Sequence, residues 1–324
     1  MKAITQDRYA AEPEEALRLS ETPRPSVGDD EVLVRVRAAS VDRGTWHAMA
    51  GLPYMIRLAG FGVRRPKLAN PGRNLAGTIE SVGANAAGFK PGDEVFGIGT
   101  ASFAEYAAAR PGKLAPKPAS LTFEQAAAVP VSGLTALQAV SRHAHVSAGQ
   151  RVLVIGAAGG VGSFAVQIAK SFGATVTGVC ATAATDMVAS LGADRVIDYT
   201  VGGLDGGPYD VILDTGGNRP LPLLRAVLAP KGTLLIIGGE TSGRSLGGFS
   251  RQLRAQLLSP LTSQRLGTFI ASENAADLRT LSELIESGKV TPAIDRGFAL
   301  AEVPAAISYL LNGHPRGKVT VTIT

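Results

Sequence analysis

Arg151-Val152-Leu153-Val154-Ile155-Gly156-Ala157-Ala158-Gly159-Gly160-Val161-Gly162 is an apolar run that enters a glycine-rich turn, and 163–170 continues from it as a helical pattern. A dinucleotide pyrophosphate needs backbone N–H groups at a helix N-terminus with no side chains in the way. Gly159 and Gly162 stand where the second and third glycines of a G-x-G-x-x-G fingerprint belong. Ala157 holds the first position and keeps the turn narrow.

Outward from this turn, short apolar runs alternate with amphipathic segments. Strand-like runs lie at 151–155, 174–179, 195–198, 210–214, 233–237 and 267–271, and helix-like segments at 161–172, 185–191, 220–228 and 275–287. That rhythm specifies an α/β fold, a doubly wound parallel sheet of the Rossmann kind. Upstream, Val32, Val34 and Val36 alternate with Arg35 and Arg37 over 31–41, the period of a half-buried strand. Further strand patterns at 75–82, 94–97 and 102–109 make this region a small β-rich domain, and an Ala-rich helix is expected over 123–129. The tail, with a last strand at 318–323, returns to the β-rich part. The expected division is 1–122 and 273–324 as the two parts of a substrate domain, with 123–272 as the dinucleotide-binding domain.

A chain of 324 residues, 45% hydrophobic, has enough apolar matter for two cores. Its single cysteine, Cys180, forms no intrachain disulfide, the first residues carry no signal core, and no run is long and apolar enough to span a membrane. The expectation is a cytoplasmic protein without a membrane partner. The net charge of +5 is interspersed, so it gives no reason to expect nucleic acid. The densest basic cluster, Arg57, Arg64, Arg65 and Lys67, reads as a solvated loop or as the border of a pocket for an anionic group.

One cysteine and four histidines (His47, His143, His145, His314) cannot supply the ligands of a catalytic plus a structural zinc, so no metal is expected. Hydride transfer to an acceptor that brings its own electron deficiency, a quinone or an α,β-unsaturated carbonyl, suits such a site. No serine is framed as G-x-S-x-G, against a hydrolase. At the end of the second Rossmann strand, 179–184 holds no acid to grip a ribose 2′-hydroxyl, which favours NADPH over NADH, and no Arg or Lys to hold a 2′-phosphate. Thr182 either donates a hydrogen bond there or caps the following helix.

These residues, together with Ala39-Ser40-Val41-Asp42-Arg43-Gly44-Thr45-Trp46, Gly77-Thr78-Ile79-Glu80-Ser81-Val82-Gly83, Pro91-Gly92-Asp93-Glu94-Val95-Phe96-Gly97, Phe103-Ala104-Glu105-Tyr106, Gly133-Leu134-Thr135-Ala136 and Gly317-Lys318-Val319, resemble the medium-chain dehydrogenase/reductase superfamily. The resemblance is to its zinc-free quinone oxidoreductase branch, which includes zeta-crystallin, and it covers nearly the whole length. It implies a GroES-like β-barrel catalytic domain with an inserted Rossmann domain, an NADPH cofactor with NADH as the alternative, and a homodimer formed by edge pairing of 267–271. By position it implies that Ala158, Gly159, Gly160, Val161 and Gly162 face the pyrophosphate and that Thr135 lies near the nicotinamide. Gly238 and Gly239 offer backbone to the carboxamide, Tyr199 meets the adenosine end and Lys318 sits near the cofactor.

Three positions depart from the branch: Asp42 replaces a frequent Asn, no basic residue stands near Ala183 or Ala184, and Arg73-Asn74 replaces a small residue and an Asp. Asp42 and Trp46 are the candidates for lining the substrate site. Asp42 reads as a polar contact or proton relay, or else a helix cap; Trp46 reads as an apolar wall, or else core. The leading reading is a zinc-independent, NADPH-dependent quinone or enone reductase acting on a small-molecule acceptor. Enoyl-thioester reduction is the alternative within the class, and a non-catalytic NADPH-binding or RNA-binding protein the alternative outside it.

Overall fold

The computed structural model describes residues 1–217, 219–238 and 249–324. The chain divides into two compact units: Met1–Leu134 with Ser272–Gly288 and Pro292–Thr324, and Thr135–Ala271 with Lys289–Thr291. The first boundary therefore follows Leu134 rather than residue 122.

In the first unit, β1 (Lys2–Thr5) pairs antiparallel with β2 (Arg18–Glu21), with the short helix α1 (Pro13–Ala16) between them. A seven-stranded sheet forms the body. Its path runs β14 (Ile294–Ala299), β15 (Lys318–Thr322), β3 (Val32–Val41), β4 (Asn74–Val82), β5 (Glu94–Ile98) and β7 (Leu114–Pro116), with β6 (Tyr106–Ala109) paired to β3. Strand β3 is the hub. Its alternating valines are buried while Arg35 and Arg37 are exposed, as the period of two requires. The buried cluster includes Ile4, Val34, Leu75, Phe103, Leu114 and Val321. Helix α2 (Arg43–Ala50) follows β3, and α3 (Phe123–Ala128) packs on β3 and β4. A capping box starts α3, in which Thr122 Oγ1 accepts from the Gln125 amide at 3.2 Å and Gln125 Oε1 from the Thr122 amide at 2.9 Å. The buried Ser40 hydroxyl ties α3 to β3 by donating to the Ala127 carbonyl at 2.8 Å. These contacts are why 123–134 stay with the first unit. Helices α9 (Ala275–Glu286) and α10 (Val303–Asn312) belong to this unit, and helix α4 (Pro130–Gln138) contains the boundary after Leu134.

The second unit is a six-stranded, wholly parallel sheet in the order β10 (Arg195–Asp198), β9 (Thr175–Cys180), β8 (Arg151–Ile155), β11 (Tyr209–Asp214), β12 (Leu228–Ile236) and β13 (Arg265–Gly267). This is the doubly wound order whose direction reverses beside the first strand, the place where such sheets bind dinucleotides. Helices α5 (Gly160–Ser171), α6 (Thr185–Ser190), α7 (Leu221–Ala226) and α8 (Phe249–Leu258) belong to it. Phe164, Val166, Ile168 and Ala169 of α5 are buried, and the helix stops where Gly173 turns left-handed at φ 81°.

The last strand corrects an expectation. It spans Arg265–Gly267 rather than 267–271, and Phe269 instead stacks on His143 at 4.1 Å between ring centroids. No helix of the described residues is long and apolar enough to cross a membrane.

Strand β4 approaches β3 so closely that a Cβ on Gly77 would lie 2.1 Å from the Arg35 carbonyl oxygen. Gly77→Ala is therefore expected to lower stability by about 1–3 kcal/mol, the cost of forcing a methyl into packed backbone. Chemical denaturation checks it, and an unchanged midpoint would show that the two strands part without penalty.

Candidate functional site

Strand β8 delivers the chain into the glycine turn. Gly156 has φ 77°, open to glycine at little cost, and the Gly156 and Ala157 amides both donate to the Val179 carbonyl of β9, at 3.1 and 3.0 Å. The Gly159 amide closes the turn on the Gly156 carbonyl at 2.9 Å, and Gly159 becomes the N-cap of α5 with no side-chain cap. A Cβ on Gly162 would lie 2.0 Å from the Gly156 oxygen, so only glycine lets the helix start this close to the strand. The first amides of α5, on Gly160, Val161 and Gly162, have no intrahelical acceptor and no capping side chain, and the helix dipole adds positive potential there. Ala158, Gly159, Gly160 and Val161 are partly exposed, whereas Gly162 is buried. The turn thus fits a dinucleotide pyrophosphate: bare amides, a helix N-terminus and room that a side chain would fill.

At the ends of β9 and β10 the side chains are arranged differently from expectation. Thr182 Oγ1 donates to Asp198 Oδ2 at 2.6 Å, while the Thr200 hydroxyl and amide reach Asp198 Oδ1 at 2.7 and 2.9 Å. These bonds hold the Asp198 carboxyl below its ordinary range, the Thr182 bond first. The Thr182 hydroxyl is thus engaged by Asp198, and it does not cap α6, which has no side-chain cap. The acid missing from 179–184 is supplied by the neighbouring strand, since Asp198 stands in register with Cys180. Tyr199 is 48% exposed, its amide donating to the Cys180 carbonyl at 3.1 Å. The Arg219 guanidinium lies 5.8 Å from the centre of its ring. A cation therefore does stand at this corner, brought from twenty residues further along the chain where no local pattern shows it.

At the end of β11, the fully buried Asp214 accepts from the Gly217 amide at 3.0 Å and pairs with Arg251. Arg251 Nε and Nη1 are buried without a hydrogen-bond partner among the described residues. The Gly238 amide donates to the Asp214 carbonyl at 3.1 Å, and a Cβ on Gly238 would strike the Thr215 carbonyl oxygen at 2.2 Å. Of its backbone, only the carbonyl is left for a carboxamide. Gly239 lies outside the described residues. Thr135 is on α4, partly exposed.

In the first unit, Asp42 caps α2: its Oδ1 accepts from the Thr45 amide at 2.9 Å, and its Oδ2 from Asn74 Nδ2 at 2.8 Å. Asn74 Oδ1 in turn accepts from the Val131 amide at 2.9 Å. Asp42 is a structural cap with both oxygens engaged, which the Asn74 partner of the Arg73-Asn74 departure makes possible. The Trp46 indole N–H donates to the Ala11 carbonyl at 3.2 Å, and its ring packs partly buried against the core. Lys318 is 2% exposed, opens β15, and its Nζ donates to the Val41 carbonyl at 3.1 Å. Arg57 leaves the basic cluster, its guanidinium lying over the rings of Tyr9 and Tyr54 and its Nε donating to the Gly51 carbonyl at 2.8 Å.

Residues 28–119 match the alcohol dehydrogenase GroES-like domain family, and 191–321 the zinc-binding dehydrogenase family. The chloroplastic quinone-oxidoreductase QR1 of Triphysaria versicolor is 29% identical over 99% of this chain and 98% of its own length. The chloroplastic NADPH-dependent alkenal/one oxidoreductase of Arabidopsis thaliana is 33% identical over 92% of this chain and 73% of its own. The chain belongs to the medium-chain dehydrogenase/reductase superfamily. Among solved structures, the quinone oxidoreductase from Coxiella burnetii superposes with a TM-score of 0.84 at 28% identity, covering 100% of this chain and 99% of that one. The two units are accordingly the GroES-like and Rossmann parts of a medium-chain dehydrogenase/reductase.

The metal-ligand chemistry of this member is poor. Cys180 is buried, and desolvation, with the Asp198 charge second, pushes its thiol up to about 11, so the thiolate a metal needs is disfavoured. Burial lowers the His47 pKa, and the Nδ1 of that ring lies 2.6 Å from the Leu52 carbonyl. Among the described residues no group of three His, Cys, Asp or Glu is placed to hold a metal ion.

Burial holds the Lys318 ammonium below its ordinary value of 10.5, opposed by the Asp42 charge. The folded state therefore releases this proton at a lower pH than the unfolded chain does. Wild-type stability should gain on that of Lys318→Met as pH rises from the depressed value toward 10.5. Urea unfolding of both proteins across alkaline pH reads this, and a pH-independent difference would mean that the ammonium is hydrated.

Proposed function

We propose that the protein is a zinc-independent, NADPH-dependent reductase of quinones or α,β-unsaturated carbonyl compounds. The observation that carries this reading is the uncapped N-terminus of α5 behind a turn that admits no side chain at Gly162. Similarity over nearly full length to proteins named as quinone and alkenal/one oxidoreductases supports the acceptor class. The donor set supports zinc independence, since the one cysteine is held as a thiol and His47 is buried against Leu52.

When bound, the nicotinamide supplies the hydride. The amides of Gly160, Val161 and Gly162 hold the pyrophosphate, with Ala158 and Gly159 shaping its approach. Gly238 contributes its carbonyl, Thr135 a hydroxyl, and Tyr199 a face for the adenosine end. Arg219 beside Tyr199 supplies the positive charge that a 2′-phosphate needs, and Thr182 anchors Asp198 rather than the ligand. Asp42 and Lys318 act on the substrate side by fixing the β3–α2 junction, because Asp42's oxygens are engaged and Lys318 is enclosed. The electron deficiency of a quinone or enone removes the need for an internal Lewis acid, and a reduced quinone takes its protons from water.

Fluorescence titration with NADPH and NADH, followed by turnover with a small quinone and an enone, tests the assignment. Arg219→Met should weaken NADPH binding by about tenfold and leave NADH nearly unchanged. Equal affinity of the wild type for both cofactors would remove the NADPH preference, and absence of turnover with either acceptor would remove the reductase reading.

We also propose a homodimer built on the edge of the second unit. Among the described residues strand β13 ends the sheet with one side unpaired, and beside it Leu253, Leu257 and Ile270 are 56%, 64% and 94% exposed. An unpaired edge next to apolar side chains is a surface that a second copy covers. Leu257→Glu combined with Ile270→Asp should shift the protein to a monomer in sedimentation velocity; the wild-type coefficient in that variant would place the interface elsewhere.

A further inference from the structure

The first unit holds a cavity of about 480 Å³ that includes none of the dinucleotide-turn residues. Its size is that of a small-molecule site. Phe61, Leu68 and Ile98 give it an apolar wall, and Lys67, Arg73, Arg110 and Lys113 give it four cations.

Two of those cations are braced. Glu273 presents one carboxylate oxygen to the Arg73 guanidinium and the other to Lys113 Nζ, the latter at 2.9 Å, and is itself only 17% exposed. One carboxylate thus fixes two cations side by side and cancels one of the two charges. Lys67 and Arg110 make no side-chain hydrogen bond or ion pair among the described residues. Glu31 also lines the cavity, with its carboxylate 3.3 Å from the Gly28 amide. Four cations against Glu273 and Glu31 leave two positive charges on an apolar-walled recess, an arrangement that a dianionic head neutralises and an apolar body fills.

We propose that this cavity is a binding site for an organic phosphate monoester with an apolar body. The phosphoryl oxygens take the free N–H groups of Arg73 and Lys113, Glu273 acts as the positioning residue that holds the pair apart at a fixed spacing, and the body lies on Phe61, Leu68 and Ile98. The basic cluster seen in the sequence is mostly not this site: Arg57 is held between two tyrosines, Arg64 and Arg65 do not line the cavity, and only Lys67 does. The site goes beyond the reductase reading and does not depend on it.

Calorimetric titration of the whole protein with hexyl phosphate, hexanoate and inorganic phosphate tests it. Hexyl phosphate should bind saturably and more tightly than either of the other two, which lack the second charge and the body respectively. Arg73→Met with Lys113→Met should weaken hexyl phosphate by roughly 10- to 100-fold, the worth of charge-assisted hydrogen bonds, while NADPH affinity stays as in the wild type. Lys67→Met with Arg110→Met, exposed residues whose side chains make no hydrogen bond or ion pair among the described residues, should weaken it by about tenfold without touching the fold. Absence of saturable binding in the millimolar range, wild-type affinity in both variants, or NADPH weakening in parallel with hexyl phosphate would each overturn the proposal.

Discussion

The contact between Gly162 and the Gly156 carbonyl oxygen sets the second unit. With no Cβ at Gly162, α5 begins against the end of β8, and its first amides emerge bare at the carboxyl edge of the sheet. Everything the sheet brings to that edge is then ordered around one point. Strand β9 accepts the two turn amides through Val179, β10 lays Asp198 beside Cys180, and β11 carries Asp214. A larger residue at 162 would push the helix outward, and the same strands would still form a sheet, but one without a focused positive end.

The first unit depends on a different constraint, the pairing of β3 with three other strands. Because β15 meets β3 with Val319 opposite Val41, the lysine that opens β15 arrives beneath the Val41 carbonyl and within the field of Asp42. Asp42 is in turn held by Thr45 and by Asn74, the first residue of β4. A chain end and a β-α junction nearly three hundred residues apart are thus coupled through one buried ammonium. This explains why an acid is tolerated at 42: three donors and a buried cation compensate it, and the residue stabilises the junction.

What was legible in the sequence follows the range of the forces involved. Strand β3 was readable because burial on one face writes a period of two into Val32, Val34 and Val36, and the glycine turn because backbone geometry restricts residue type locally. The run at 267–271 has strand composition, yet pairing ends at Gly267, and Phe269 finds His143 instead, a partner no local pattern encodes. Lys318 opens the expected last strand, but nothing local marks it as buried, and only the register of β15 on β3 encloses it. On helix α8, Arg251 faces the buried Asp214 carboxylate contributed by β11, a pairing that no local pattern encodes. The proposed cofactor residues divide the same way: the turn was legible, whereas Arg219 and Asp198 are assembled by topology.

The charges at the ends of β9 and β10 are assembled in the same way. Asp198 alone at this corner would repel a 2′-phosphate and favour a free ribose hydroxyl. Its carboxylate, however, accepts from two hydroxyls and an amide of Thr182 and Thr200, which draw its charge inward. Arg219 stands 5.8 Å from the centre of the Tyr199 ring and forms no ion pair among the described residues. A carboxylate with three donors and a guanidinium 5.8 Å from the Tyr199 ring centre thus place one negative and one positive charge at this corner, although the strand end that usually decides the matter, 179–184, holds neither acid nor base.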